Sequence, residues 1–306
     1  MSACTTTPAA ARRARSGGLI YLVTAGLLWG TGGLTGSVFG RVAGLPALTV
    51  AAYRLSAGGV LLVAFLLASG RPLPRGRAAW TRVSAFGLLA AEFQACYFTA
   101  VSLTSVSLAT LVTIGGTPVI VQAVRWLRGH RPAPRELAAT GLALAGLALL
   151  VGVPAGRLSE SATLSESATL GGAVLALAAA SGFAAMTLIG ATPVPGLDDL
   201  ATTGIAFTFG GGVLMTAAAL AGHIGFTPRP DALVLLIALG TGPTAVAYTS
   251  YFRGLRRAET STAALLSLLE PLTGTILAVL LLGNRLSTAG IAGAVTLGVA
   301  LLLTVR

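Results

Sequence analysis

Acidic residues, lysine and cysteine are all scarce in this chain. Asp and Glu number 9 in 306 residues, and charged residues of every kind make up 9%, against about a quarter in an average soluble domain. With 55% hydrophobic residues, so little charge cannot coat a water-soluble core of this size, and a soluble globular protein is excluded. Lysine is missing altogether, since all 20 basic residues are arginine. An excess of 20 basic over 9 acidic residues would suit nucleic acid, but the arginines fall in the short gaps between apolar runs. That is the arrangement of membrane topology, so no nucleic-acid partner is expected. The two cysteines, Cys4 and Cys96, form neither a disulfide framework nor a metal-ligand spacing. His130 and His223 fall in expected loops far from any acidic cluster, so no metal and no cofactor is expected.

What the chain does have is apolar length. Mean hydropathy is +0.86, and stretches of the roughly 20 residues needed to cross a hydrocarbon core recur from Gly18 onward. The expected spans are 18–40, 46–69, 80–102, 105–127, 136–153, 171–190, 199–220, 231–251, 259–282 and 287–305. The fold class is therefore an all-α integral membrane protein of about ten transmembrane helices, with the lipid bilayer as its solvent. The first span follows Arg12, Arg13 and Arg15 as a signal peptide would, yet it is too long and lacks a small-residue cleavage site. We read it as a retained anchor behind a cytoplasmic tail of residues 1–17. With that tail inside, Arg71, Arg75, Arg77, Arg82, Arg125, Arg128, Arg131, Arg135, Arg253, Arg256, Arg257 and Arg306 are also cytoplasmic. Only Arg41, Arg157, Arg229 and Arg285 lie outside. The positive-inside rule then places both termini in the cytoplasm and the protein in the cytoplasmic membrane.

The chain divides near its middle. Residues 154–170 read as an outer linker, with Leu-Ser-Glu-Ser-Ala-Thr at 158–163 repeated at 164–169, a composition of solvated linkers. The flanking halves, 18–153 and 171–306, match weakly but at length. Tyr97-Phe98, followed by a helix reaching Gly115-Gly116-Thr117-Pro118, corresponds to Tyr251-Phe252, followed by a helix reaching Leu268-Leu269-Glu270-Pro271. Further on, Gly129 matches Gly283, and the run 141–146 matches 293–298. Five spans separate each residue from its counterpart, and five is odd, so the second copy enters the membrane from the opposite side. Two inverted five-helix repeats are expected, the plan of many secondary transporters.

The stretch Ser261-Thr262-Ala263-Ala264-Leu265-Leu266-Ser267-Leu268-Leu269-Glu270-Pro271, followed by Leu281-Leu282-Gly283-Asn284-Arg285-Leu286-Ser287, resembles the Leu-Glu-Pro and Leu-Gly-Glu-Arg-Leu elements of the EamA family of the drug/metabolite transporter superfamily. Asn284 stands where the family has Glu, and the first half reads Arg128-Gly129-His130-Arg131-Pro132, a looser version. Leu28-Trp29-Gly30 and Tyr53-Arg54 are similar to family features as well, so the likeness covers nearly the whole chain. It implies a transporter, and export as its direction, while leaving the substrate open among amino acids, metabolites and drugs.

A charge within the membrane costs about 2.5–3.5 kcal/mol at a helix centre, so such residues usually face an interior cavity. Glu92 lies about ten residues into the third expected span, Glu270 about eleven into the ninth, and Arg54 a third of the way into the second. Each shares its helix face with small or polar neighbours: Ala85, Cys96 and Thr99 for Glu92, Ala263, Ser267 and Gly274 for Glu270, and Ala47, Ala51 and Gly58 for Arg54. Gly26, Gly30 and Gly33 stripe the first span, as do Gly32, Gly36 and Gly40, and are expected to serve close helix packing or a groove beside Trp29. Pro118 and Pro271 occupy matched mid-membrane positions in the two halves, where helix interruptions point to a central site. The expected substrate or proton pathway is Glu270, Glu92, Arg54, Trp29 and Tyr97, with helix kinks at Pro118 and Pro271.

Three readings of these charges stay open: proton coupling through Glu92 or Glu270, a structural ion pair with Arg54, and capture of the charged end of a zwitterionic substrate. The expected function is alternating-access transport of a small metabolite, an amino acid or amphipathic compound, with protons as a coupling ion. Drug efflux and flipping of a lipid-linked sugar are the nearby alternatives, and an intramembrane enzyme or a receptor-like scaffold the distant ones. No nucleophile with its base is recognisable, which argues against the enzyme. Assembly as a homodimer is left open.

Overall fold

A computed structural model describes residues 8–152 and 166–305, with side-chain placement from Ser16 and Ala168 onward in the two segments. The chain folds as α1 (Pro8–Ala43), α2 (Ala47–Ala68), α3 (Arg77–Leu103), α4 (Val106–Leu127) and α5 (Pro134–Leu150). Then follow α6 (Glu166–Gly190), α7 (Asp199–Leu220), α8 (Pro230–Gly240), a π-helical segment (Thr241–Val246) and α9 (Ala247–Leu255). The last elements are α10 (Thr260–Leu266), α11 (Leu269–Leu282) and α12 (Thr288–Val305). Among the described residues, nine continuous or interrupted helices have the length and apolarity of a membrane span. The tenth, α5, has 17 residues and at 1.5 Å per residue reaches roughly 25 Å.

Three expectations are adjusted. Helix α1 begins at Pro8, so residues 8–17 of the expected tail are helical, while the apolar span starts at Ser16. The part of the expected linker from Glu166 on is already α6, and the remainder, with most of the duplicated hexapeptide, lies outside the described residues. Finally, the eighth and ninth spans are interrupted helices: α8–π–α9 and α10–α11.

Helix packing shows the two-fold relation between the halves. Pairing α1 with α6, α2 with α7, α3 with α8–π–α9, α4 with α10–α11 and α5 with α12, the α2–α7 and α5–α12 contacts map onto themselves. Helix α3 packs on α6 and α7, and correspondingly the α8–π–α9 span packs on α1 and α2. Helix α4 packs on α6, and α11 on α1. The self-paired crossings are made by glycine. At the α5–α12 crossing, a Cβ on Gly293 would sit 2.7 Å from the Gly146 carbonyl oxygen and 2.8 Å from the Leu149 carbonyl carbon, so the two backbones touch. Lipid gives helices no hydrophobic reason to associate, and such backbone approach supplies the dispersion contact that holds them. Gly26 and Gly30 likewise face α11, at Leu269 and Thr273, whereas Gly33 faces open space.

The outside of the bundle is apolar, with Ile20, Phe65, Val106, Val174 and Leu280 all exposed, as a lipid-facing surface requires. Inside, the main cluster gathers around Trp29, Phe86, Phe207, Tyr248 and Tyr251. A second cluster lies toward one end, where Phe39, Tyr53 and Phe226 meet edge-on at centroid separations of 5.1–6.4 Å. There the Tyr53 hydroxyl donates to the Ile224 carbonyl at 2.6 Å. The opposite end carries the arginines. Arg82 donates to the carbonyls of Ile189 and Thr192 at 2.7 and 2.9 Å, Arg256 pairs with Asp199 at 2.9 Å, and Arg71 with Asp198 at 3.3 Å.

Candidate functional site

The interrupted spans build the site. Pro243 has no N–H to give the Leu239 carbonyl four residues back, and the hydroxyl of Thr244 fills that place at 2.8 Å. The π turn that results rotates α9 relative to α8, and π turns of this kind gather at functional sites. It leaves Tyr248 and Tyr251 both facing Trp29, with ring centroids 4.9 and 5.0 Å away. Phe183 of α6 completes the cluster at 5.7 Å from Trp29. The Tyr251 hydroxyl is engaged by Thr187 at 2.8 Å, which fixes that ring, while Trp29 is only 5% exposed.

In the ninth span the interruption lies at Ser267–Leu268, three residues ahead of Pro271. Leu268 N–H turns back to the Leu265 carbonyl and Glu270 N–H to the Ser267 carbonyl, each at 3.0 Å, and α11 begins at Leu269. Pro271 thus occupies the first turn of α11, where an amide proton has no intrahelical acceptor and its loss costs nothing. The same geometry puts Glu270 in that first turn, halfway along the span, where the positive end of the helix dipole favours a carboxylate. Pro118 behaves differently: α4 runs through it without a break.

These elements enclose a central cavity lined by Trp29, Arg54, Phe93, Thr113, Ile114, Thr117, Phe183, Tyr248, Ser267 and Glu270. Both repeats contribute, and the two partly buried charges of opposite sign come one from each. Arg54 and Glu270 interact electrostatically but do not form a close ion pair. The indole Nε1 of Trp29 and the Nε of Arg54 are buried donors without an acceptor among the described residues. Leaving such donors unpaired is costly, so they mark where a ligand or water would bind. The Thr113 hydroxyl donates to the Ala176 carbonyl of α6 at 3.0 Å and the Thr117 hydroxyl to the Thr113 carbonyl of its own helix at 2.9 Å, with the Ala180 carbonyl at 3.4 Å, which leaves both hydroxyl oxygens as acceptors at the wall. Space for water-sized spheres amounts to about 30 Å³, enough for about two waters. Loading anything larger requires the walls to move.

Of the residues singled out in the sequence, Trp29, Arg54 and Glu270 meet in this cavity. Tyr97 stands just behind it: its hydroxyl pairs with Thr110 at 3.0 Å, and its ring stacks on Phe93 at 6.3 Å. Glu92 is elsewhere. Its carboxyl group contacts Cys96 on its own helix and lies against Gly182 of α6, where any side chain would collide with it. One oxygen of Glu92 is buried without a partner, but it is not part of the cavity wall. Phe93, Ile114, Phe183 and the threonines were not anticipated as wall residues; only the match of Gly115-Gly116-Thr117-Pro118 with Leu268-Leu269-Glu270-Pro271 hinted at Thr117. Among the described residues, no group of three or more His, Cys, Asp or Glu comes together to hold a metal.

Comparison with known proteins agrees with this architecture. The model of the EamA-like transporter family matches residues 16–152 and again 170–306. A curated protein of Bacillus subtilis (strain 168), named Uncharacterized transporter YwfM, is 30% identical over 285 residues, covering 93% of this chain and 90% of its own length. A solved structure titled only as the crystal structure of a protein superposes with a TM-score of 0.77 over 94% of this chain and 96% of its own, at 23% identity, and shows the same fold.

Proposed function

The chain belongs to the EamA-like transporter family, and from that premise we propose that it exports a small zwitterionic metabolite, an amino acid first among them, by alternating access. One observation carries the reading: Arg54 and Glu270 face one aromatic-walled cavity without pairing closely. The Arg54 guanidinium and the Trp29 indole N–H would receive a carboxylate, Glu270 an ammonium group, and Phe93 and Phe183 the apolar body. A cation alone would be repelled by Arg54, and an anion alone by Glu270, so a solute carrying both charges is favoured. The protein acts as a carrier, not a catalyst.

Glu270 also serves as the coupling site in this reading. Among the described residues it is the one carboxyl group on the cavity wall, so solute ammonium and proton compete for it, which is how an antiporter exchanges them. Glu92, packed against Gly182, is outside that competition. The arginine-rich end faces the cytoplasm, because eleven arginines with described side chains lie there or in the adjoining turns while Arg41, Arg229 and Arg285 lie at the other end. Both termini are then cytoplasmic, in the cytoplasmic membrane.

The test is counterflow in proteoliposomes of the full chain, preloaded in turn with each of a panel of amino acids and with the corresponding decarboxylated amines. Exchange of at least one amino acid, and of none of the amines at the same rate, is the expected result. Exchange of amines alone would contradict the zwitterion reading.

A further inference from the structure

The arginine-rich end holds a cluster that the cavity does not use. Arg125, in the last turn of α4, reaches Glu136 in the first turn of α5 and Glu259 at the N-cap of α10, both at 3.8 Å, and donates to the hydroxyl of Ser261 in α10. Glu136 and Glu259 themselves come within hydrogen-bonding reach of each other. Helices α4 and α5 are further joined at this end by a hydrogen bond from Gln122 to Thr140. Arg125 therefore ties α4 and the start of α5 in the first repeat to the start of α10 in the second.

The setting distinguishes a latch from a permanent joint. Beside the cluster lies space of about 120 Å³ for water-sized spheres, lined in part by Glu136, Glu259 and Ser261, so water can take over each ionic contact as it breaks. Ion pairs of this length and hydration are weak. Toward the cavity, Val121 of α4, Ala184 of α6 and Ala264 of α10 form a buried apolar plug. At this end, then, α4 is closed on α10. Past the break at Ser267–Leu268 it is not: α4 packs on α10 but makes no more than marginal contact with α11, and α11 has no buried residue.

We propose that Arg125, bound to Glu136, Glu259 and Ser261, is the latch of the cytoplasmic gate, holding α10 on α4 while the cavity is accessible from the other side. The proposal rests on the transporter reading and its orientation. Releasing α10 from Arg125 opens the plug, and the interruption ahead of Glu270 lets α10 swing without carrying α11 along. The contact is polar, hydrated and reversible, as a gate that must open on each cycle requires.

The test reads the gate without substrate. In the full chain with Cys4→Ser, Cys96→Ala and Ala264→Cys, the lone thiol sits in the plug, and its reaction with a membrane-impermeant maleimide is timed in inside-out vesicles. Arg125→Gln is expected to raise the labelling rate about tenfold, and the exchanged pair Arg125→Glu with Glu259→Arg to bring it back toward the parent rate. An unchanged rate in Arg125→Gln would overturn the latch, and so would equal acceleration in the single and exchanged variants, which would mark general loosening of the bundle. Because no transport is measured, either result leaves the counterflow test of the substrate reading standing on its own.

Discussion

Replacing Arg54 by methionine removes a partly buried guanidinium while keeping an unbranched side chain of helical propensity. In the structure Arg54 has an unpartnered Nε and faces the cavity with Glu270. If a substrate carboxylate completes it, the lost charge-assisted hydrogen bonding is worth about 1.5–3 kcal/mol, or roughly 10- to 150-fold in Kd. The substitution also changes the field at Glu270, so the absolute affinity alone would be ambiguous. The ratio of Kd for an amino acid to Kd for its decarboxylated amine removes that ambiguity, since both ligands present the same ammonium to Glu270. Scintillation-proximity binding to purified protein in detergent measures it. We expect the wild type to prefer the amino acid by a factor in this range and Arg54→Met to lose that preference. A preference that survives the substitution would refute the assignment of Arg54 to the carboxylate.

Further outcomes follow from other parts of the site. Glu270→Gln abolishes the acceleration of export by an acidic exterior in proteoliposomes, whereas Glu92→Gln keeps it; the reverse result would move coupling to Glu92. Trp29→Phe keeps an aromatic ring beside Tyr248 and Phe183 but loses the indole N–H, and a hydrogen bond to a carboxylate of about 1.5–3 kcal/mol translates into a rise in Kd of roughly 10- to 150-fold. Gly293→Leu must push α12 off the α5 backbone; overpacking costs about 1–3 kcal/mol, and the detergent melting temperature falls while that of Gly33→Leu, beside open space, stays near the wild type.

Much of this was legible in the sequence for one physical reason: a charge stands out in an apolar chain. Arg54 and Glu270 announce themselves by their cost in lipid, and Trp29 by its place in a glycine-striped helix. The same contrast flagged Glu92, yet the sequence could not tell a carboxyl group on the cavity from one beside Gly182, because that distinction lies in the rotation of α3 against α6. Phe93, Ile114 and Phe183 were invisible, since an apolar wall residue in an apolar helix differs in nothing from one facing lipid. Pro271 marked one interrupted span without fixing where it breaks, Pro118 lies in a helix that runs on unbroken, and Pro243, in the other interrupted span, was not singled out. Pro271 sits after the break, in a first turn where its missing N–H is harmless, and Pro243 lies in a π turn in which the Thr244 hydroxyl satisfies the Leu239 carbonyl. The glycine crossings, by contrast, were foreshadowed by the matched runs at 141–146 and 293–298, which contain Gly146 and Gly293.

The central claim is that this cavity carries a small metabolite out of the cell. It is tested most directly by comparing metabolites in the medium of cells that express the protein, cells that express Glu270→Gln at equal membrane abundance, and cells that lack it. The account predicts a zwitterionic compound that accumulates outside only with the intact protein. Equal accumulation with Glu270→Gln, or no accumulation with either across varied nutrient conditions, would contradict it.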